Sequence, residues 1–209
     1  MSQQPADSVL VYADYVCPFC YLGYVSLDRY QESREEPLET DWHPFDLRSR
    51  QRTPDGTIDH DVDTGKDESY YEQARQNVER LADQYGVEMA QPLRKDVDSY
   101  DAQRVAYRVK EEHPEVFESF HRGVFDALWE DGRDIGDPDV LREVAAEAGV
   151  PETVVEAALA DEGTAEAIEA AFDDATQQRI TGVPTFVSGD HAARGAVPPE
   201  QLERLIEGT

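Results

Sequence analysis

At 209 residues, 39 % of them hydrophobic, the chain is long enough to bury a core of its own, and recurrent apolar periodicity excludes wholesale disorder. Its 46 Asp and Glu against 19 Lys and Arg give a formal net charge of −27, and with no basic patch apparent in the sequence this disfavours nucleic acid and an anionic membrane surface as partners. Lysine occurs only at Lys66, Lys95 and Lys110, and the carboxylates are spread over the whole chain, the pattern expected of a protein adapted to high salt.

The start, MSQQPADSVLVYADY, has no basic n-region, and no run approaches the ~18 apolar residues of a membrane span. A cytoplasmic location is expected. In that compartment a CxxC is more often catalytic or metal-binding than a stable structural disulfide.

In chain order, SVLVYADY (8–15) is dense in β-formers and reads as a buried strand. Pro18 follows, tolerated in a first helical turn, and FCYLGYVSLDRY continues as an apolar helix. LETDWHPFDL (38–47) is a second strand, returning in parallel to complete a βαβ unit. Residues 48–66 are polar with turn signals and read as a loop. From 67 the pattern turns helical: Tyr71, Ala74, Val78, Leu81 and Tyr85 share a face that ends at Gly86. Further helices are expected over 99–112, 114–130, 138–148 and 151–160, the third with Asp137 as N-cap, Pro138 at N1 and Gly149 as stop. One more helix is expected over 164–182, stopped by Gly182. VPTFVSGDHAARGAV then reads as two short strands around Ser188-Gly189-Asp190, and PPEQLERLIEG as a closing helix. The fold class is α/β: a β-α-β unit (1–66), an inserted all-α domain (67–163), and an α-β-β-α part (164–209).

The chain's two cysteines, Cys17 and Cys20, fall together at the first strand-to-helix junction. Zinc would need four ligands, yet no further cysteine exists, and His43, His60, His113, His121 and His191 contain no closely spaced pair. No metal and no cofactor is expected; each histidine reads as a surface or satisfied core residue. A structural disulfide would close a tiny loop and gain little. Two inert buried thiols are the plainest alternative. A redox centre accounts for more, because unpaired N–H groups and the macrodipole at a helix start favour a thiolate. Cys17 would attack a substrate disulfide, and Cys20, one turn on, would resolve the mixed disulfide. TGVPTFV (181–187) adds Pro184 between a helix and a strand.

The stretches DYVCPFCYLG, FDLRSR, VFDALWEDGRDIGDPDVLREVAAEAGV, TGVPTFVSG and RGAVPPEQLERLI resemble the DsbA family of the thioredoxin superfamily, and within it the FrnE-like dithiol oxidoreductases. The resemblance covers nearly the whole chain. It implies a thioredoxin-like fold with a helical insertion, Cys17 as exposed nucleophile, Cys20 as buried resolving cysteine, and Pro184 as a cis-proline facing them. Val183 would offer its backbone to an extended substrate segment. Pro18-Phe19 stands where a strongly oxidising DsbA carries proline-histidine. Phe19 can neither donate a hydrogen bond nor carry charge, so a potential below the ~−120 mV of that enzyme is expected. Related hydroxychromene-carboxylate isomerases and kappa-class glutathione transferases typically carry serine at the position of Cys17.

Tyr15, Tyr21 and Tyr24 sit at strand-end and helical spacing. Core or rim is the plainer reading for them; Tyr15 and Tyr21 are also candidate substrate contacts. Asp14 reads as an exposed strand-end carboxylate, with a proton relay to Cys20 as the sharper alternative. Trp42 and Trp129 read as core. The function expected is thiol–disulfide exchange with protein or small-thiol partners and an unidentified redox partner. The alternatives are a transferase- or isomerase-like enzyme in the same cleft, and a redox-switched binding module.

Overall fold

The computed structural model describes residues 8–53 and 56–208. The start of the chain, whose lack of a secretory pattern was read above, and the turn signal at Pro54-Asp55 lie outside the described residues. Among those described are four strands and eight α-helices.

Strand β1 (Ser8–Ala13) leads into α1 (Pro18–Glu32), which returns the chain to β2 (Glu39–Pro44), parallel to β1. Near the C-terminus β3 (Thr185–Ser188) pairs antiparallel with β1, and β4 (His191–Arg194) antiparallel with β3, giving the order β2-β1-β3-β4. Helix α8 (Pro199–Glu207) closes the fold against α1 and the sheet, where Val9, Leu27, Phe186, Leu202 and Ile206 form one apolar cluster. This is a thioredoxin-like α/β arrangement.

Between β2 and β3 lie α2 (Glu68–Tyr85), α3 (Tyr100–Glu112), α4 (Pro114–Trp129), α5 (Pro138–Ala148), α6 (Glu152–Ala160) and α7 (Glu162–Gln177). Local chemistry sets several of their ends. The Asp67 carboxylate accepts from Tyr70 N–H at 2.8 Å and starts α2, and Gly86 ends it in the left-handed region. Asp137 caps α5, Pro138 occupies its first turn, and Gly149 stops it with φ +80°. The strip Val105, Val109, Phe120, Val124, Phe125 and Leu128 is buried, and its core is continuous with that around Cys20 and Tyr21. Trp42 and Trp129 are buried in the same core.

Both ends of one helix differ from expectation. Helix α7 begins earlier, because the Asp161 carboxylate accepts from Thr164 N–H at 2.9 Å. It ends at Gln177 rather than at Gly182: Arg179 takes φ +61°, and Ile180 N–H turns back to the Ala175 carbonyl at 3.0 Å. Residues 178–184 are thereby released as an irregular segment that passes over Cys17.

Arg52 ties the loop after β2 to the start of α3. Its guanidinium reaches Asp46 at 2.8 Å and Asp98 at 2.8 and 2.9 Å, and lies 4.7 Å from the Tyr100 ring centre.

Candidate active site

Cys17 is the N-cap of α1, with Pro18 at its first helical position. Proline suits that place because the N–H it lacks would have no partner within the helix. The Cys17 carbonyl accepts from Cys20 N–H at 2.9 Å, and Cys17 N–H donates to the Asp14 carbonyl at 3.1 Å. Both cysteines are thiols. The Cys17 Sγ faces the Val183 carbonyl at 3.6 Å, and the Val183–Pro184 peptide bond is cis. The sheet explains this meeting. β3 pairs with β1, so the segment entering β3 runs beside the loop leaving β1.

Cys20 is 2 % exposed, and burial pushes its thiol well up from the ordinary range. The neighbouring Cys17 and the charge of Asp14 push the same way, and a backbone hydrogen bond from Asp14 offsets part of it. Cys17 is only 4 % exposed, which corrects the implied exposed nucleophile: it lines a cavity of about 720 Å³ that it shares with residues 181–183.

Asp14 is fully buried, which corrects its reading as an exposed strand-end carboxylate. Its Oδ1 accepts from Ser99 Oγ at 2.5 Å and Val16 N–H at 3.2 Å, and its Oδ2 from Leu47 N–H at 2.8 Å. Burial nevertheless raises its pKa to about 6, with the Asp46 charge adding to the rise and those hydrogen bonds opposing it. The charge of this buried acid is felt at Cys20. The signal in the sequence was an acid closing an apolar strand three residues before the first cysteine.

Tyr15 and Tyr21 are each 1 % exposed and do not line the cavity, so the candidate substrate contacts are corrected to core residues. Tyr15 Oη bonds His121 Nδ1 at 2.7 Å, its carbonyl accepts from Trp129 Nε1 at 2.8 Å, and Tyr21 Oη donates to Glu130 at 2.5 Å. The helical block thus holds the loop that carries the cysteines. His121 sits among the rings of Tyr15, Tyr24, Trp42, Phe117 and Phe125, and burial holds its pKa down at about 3, so it stays neutral. The cavity's aromatic wall comes instead from Phe19, Tyr70 and Tyr71. Among the described residues no three His, Cys, Asp or Glu side chains are grouped to hold a metal, and no helix is long and apolar enough to cross a membrane.

Gly23 lets α1 approach the Pro184 segment. A methyl group there would lie 3.0 Å from Pro184 Cγ and 3.1 Å from Phe186 Cζ. Gly23→Ala is therefore expected to destabilise the fold by about 1–3 kcal/mol as these neighbours shift. A urea midpoint equal to that of the unsubstituted protein would show that the segment yields freely.

A helix-start CxxC beside an X-Pro segment, on a four-stranded mixed sheet, is a thioredoxin-like arrangement. The chain belongs to the DSBA-like thioredoxin domain family, whose model matches residues 8–207; the FrnE-like branch is consistent with this. It is 28 % identical over 202 residues to the uncharacterized protein YwbO of Bacillus subtilis, covering 95 % of this chain and 94 % of that one. Its fold is similar to a probable DsbA oxidoreductase from Streptomyces coelicolor, with TM-score 0.76, 24 % identity and coverage of 96 % of this chain and 90 % of the other. It is also similar to a 2-hydroxychromene-2-carboxylate isomerase, with TM-score 0.75, 20 % identity and coverage of 96 % and 93 %. The cytosolic disulfide reductase DsbM from Pseudomonas aeruginosa, solved with GSH, matches with TM-score 0.64, 18 % identity and coverage of 96 % and 93 %.

Proposed function

We propose that this chain is a cytoplasmic thiol–disulfide oxidoreductase. The observation that carries the reading is the pair Cys17 and Cys20 at the start of α1, with Cys17 Sγ 3.6 Å from the Val183 carbonyl at the floor of one cavity. In the reducing direction, the Cys17 thiolate bonds to one sulfur of a substrate disulfide; the S–S bond breaks and the first substrate thiolate leaves. Asp14 takes the Cys20 proton. The Cys20 thiolate then attacks Cys17 Sγ, and the second substrate thiolate departs as the Cys17–Cys20 disulfide forms. Two electrons pass to the substrate, and a separate redox partner restores the dithiol. The oxidising direction is the same path reversed.

Pro18 and Phe19 support the motif from the first turn of the helix. Val183 forms the opposing wall, buried Pro184 packs behind it toward Gly23, and the Val183 backbone offers an extended substrate a pairing edge. In this reading residues 67–163 are an inserted helical domain between the two thioredoxin-like parts. The second thiol favours dithiol chemistry over a transferase or isomerase, which would tolerate loss of Cys20.

The test is insulin reduction, and refolding of a reduced disulfide protein, with Cys17→Ser and Cys20→Ser. Both variants are expected to lose turnover, and Cys20→Ser to accumulate mixed disulfides on Cys17. Full activity in Cys17→Ser would sink the mechanism. Full activity in Cys20→Ser would move the reading to a single-thiol enzyme.

A further inference from the structure

Ser99 stands at the N-cap of α3, where a serine hydroxyl ordinarily accepts a hydrogen bond from an N–H of its own helix. It makes no such cap. Its hydroxyl donates instead to Asp14 Oδ1 at 2.5 Å. The helix forgoes a cap, and the buried acid near the two cysteines gains a donor.

The direction of that hydrogen bond is fixed by Gln103, one turn along α3 and 1 % exposed. The Phe45 backbone clamps the Gln103 amide at both ends: Oε1 accepts from Phe45 N–H at 3.2 Å, and Nε2 donates to the Phe45 carbonyl at 3.3 Å. The same Nε2 donates to Ser99 Oγ at 3.2 Å. A serine has one hydroxyl proton, and with an amide donating into its oxygen that proton is directed at the carboxylate. A buried chain of hydrogen bonds thus runs from Gln103 through Ser99 to Asp14, whose charge is felt at Cys20.

The other donors to the Asp14 carboxylate are backbone N–H groups, those of Val16 and Leu47. Among the described residues Ser99 is the one side chain that bonds it. The remaining groups around Asp14 are Cys17 and Cys20 at the start of α1, Tyr15 next to it in the chain, and Asp46 in the loop after β2. Burial keeps the Tyr15 phenol protonated, and Arg52 holds the Asp46 carboxylate at 2.8 Å. Burial favours the protonated form of Asp14 most, Ser99 is the foremost influence against it, and the Asp46 charge adds to the effect of burial.

We propose that Ser99 is a positioning residue for the exchange reaction: its hydroxyl, aimed by Gln103, holds Asp14 in the ionised form that accepts the Cys20 proton. A residue of α3 thereby tunes the closing step of a site built on β1 and α1. The proposal rests on the oxidoreductase reading above and deepens it.

The experiment uses pre-reduced full-length protein and 4,4′-dithiodipyridine in single turnover from about pH 4 to 9. Cys17 attacks one sulfur of the probe, the probe's S–S bond breaks, and a first thiopyridone leaves. Cys20 then attacks Cys17 Sγ, and a second thiopyridone leaves as the Cys17–Cys20 disulfide forms. Two electrons pass to the probe, and the two phases of release report the two steps. Cys20→Ser is expected to lack the second phase. In Ser99→Ala, and in Ser99→Gly, which an N-cap tolerates well, the second phase should keep its amplitude while its pH midpoint rises by about 1–2 units. The first phase should keep its midpoint. Ser99→Thr, which retains the hydroxyl, should restore the second midpoint. In an Asp14→Asn background Ser99→Gly should shift the second phase at no pH, because the carboxylate it acts on is gone.

A second phase slowed equally at every pH, with its midpoint in place, would make Ser99 a packing residue and overturn the proposal. A shift that persists in the Asp14→Asn background, or that Ser99→Thr shares, would overturn it too, and in each case the oxidoreductase reading stands. A second phase that survives Cys20→Ser, or no Cys17-dependent release at all, would overturn that reading and the proposal with it.

Discussion

Asp14→Asn is expected to stabilise the protein at pH 7 and to slow its disulfide exchange. The native Asp14 carboxyl has a pKa of about 6 against an ordinary 3.8, so the folded state holds its proton more tightly than the unfolded chain does. Stability falls with pH wherever the native state binds more protons. Asp14 therefore costs nothing below about pH 4, costs more as the pH rises from about 4 to 6, and its full cost of roughly 3 kcal/mol applies above that. Asparagine removes the charge but presents an N–H₂ where one backbone donor, that of Val16 or Leu47, needs an acceptor, so a net gain of about 1–2 kcal/mol at pH 7 is expected. The gain should disappear by pH 4. Urea titrations of both proteins at pH 4 and pH 7 measure it, and an equal gain at both would remove the buried charge as its cause. Kinetically, a positioned base contributes ~10²–10⁴-fold, so resolution by Cys20 should slow within that range and mixed disulfide should accumulate. Stabilisation without slowing would leave Asp14 a buried charge with no part in the chemistry.

The helices were legible because their ends are coded locally. Asp67 with Gly86, and Asp137-Pro138 with Gly149, carry caps and stops that act over one turn. The CxxC was legible for the same reason: strand, cysteine, proline and helix follow one another within a dozen residues. What escaped was set over distance. Asp14 ends a strand and reads as exposed until Leu47, 33 residues on, and Ser99, 85 residues on, fold over it. Tyr15 and Tyr21 lie beside the motif in sequence, yet His121, Trp129 and Glu130, more than a hundred residues later, draw them into the core. The end of α7 was misread because a non-glycine residue, Arg179, takes the left-handed turn for which Gly182 was the natural candidate. Lysine scarcity was read as a property of the whole surface, although two of the three lysines gather at one cavity.

Thermal stability is expected to rise steeply between about 0.1 and 2 M potassium chloride, mostly below 1 M, where the Debye length shrinks from about 10 to 3 Å. The carboxylates are crowded as well as numerous. Residues 151–177, covering α6 and α7, carry eight of them and no lysine or arginine. Among the described residues Asp161 meets the Arg108 guanidinium at 3.5 Å, and Asp174 lies 3.3 Å from the His43 ring. Folding brings these like charges together, while the unfolded chain spreads them apart, so screening favours the folded state. Exposed ion pairs weaken in the same salt, but each contributes only ~0–1 kcal/mol, so the repulsion dominates the trend. Relief of roughly 3–5 kcal/mol corresponds to a rise in Tm of about 10 °C for a chain of this size. Chloride is the salt to use, because sulfate also strengthens hydrophobic burial. Replacing Glu152, Glu156, Glu162 and Glu166 with glutamine should raise Tm at low salt and flatten the dependence, which separates self-repulsion from any general effect of salt on burial. A Tm that stays level from 0.1 to 2 M would reject adaptation to high salt, and would mean that these surface charges lie far enough apart for water alone to screen them.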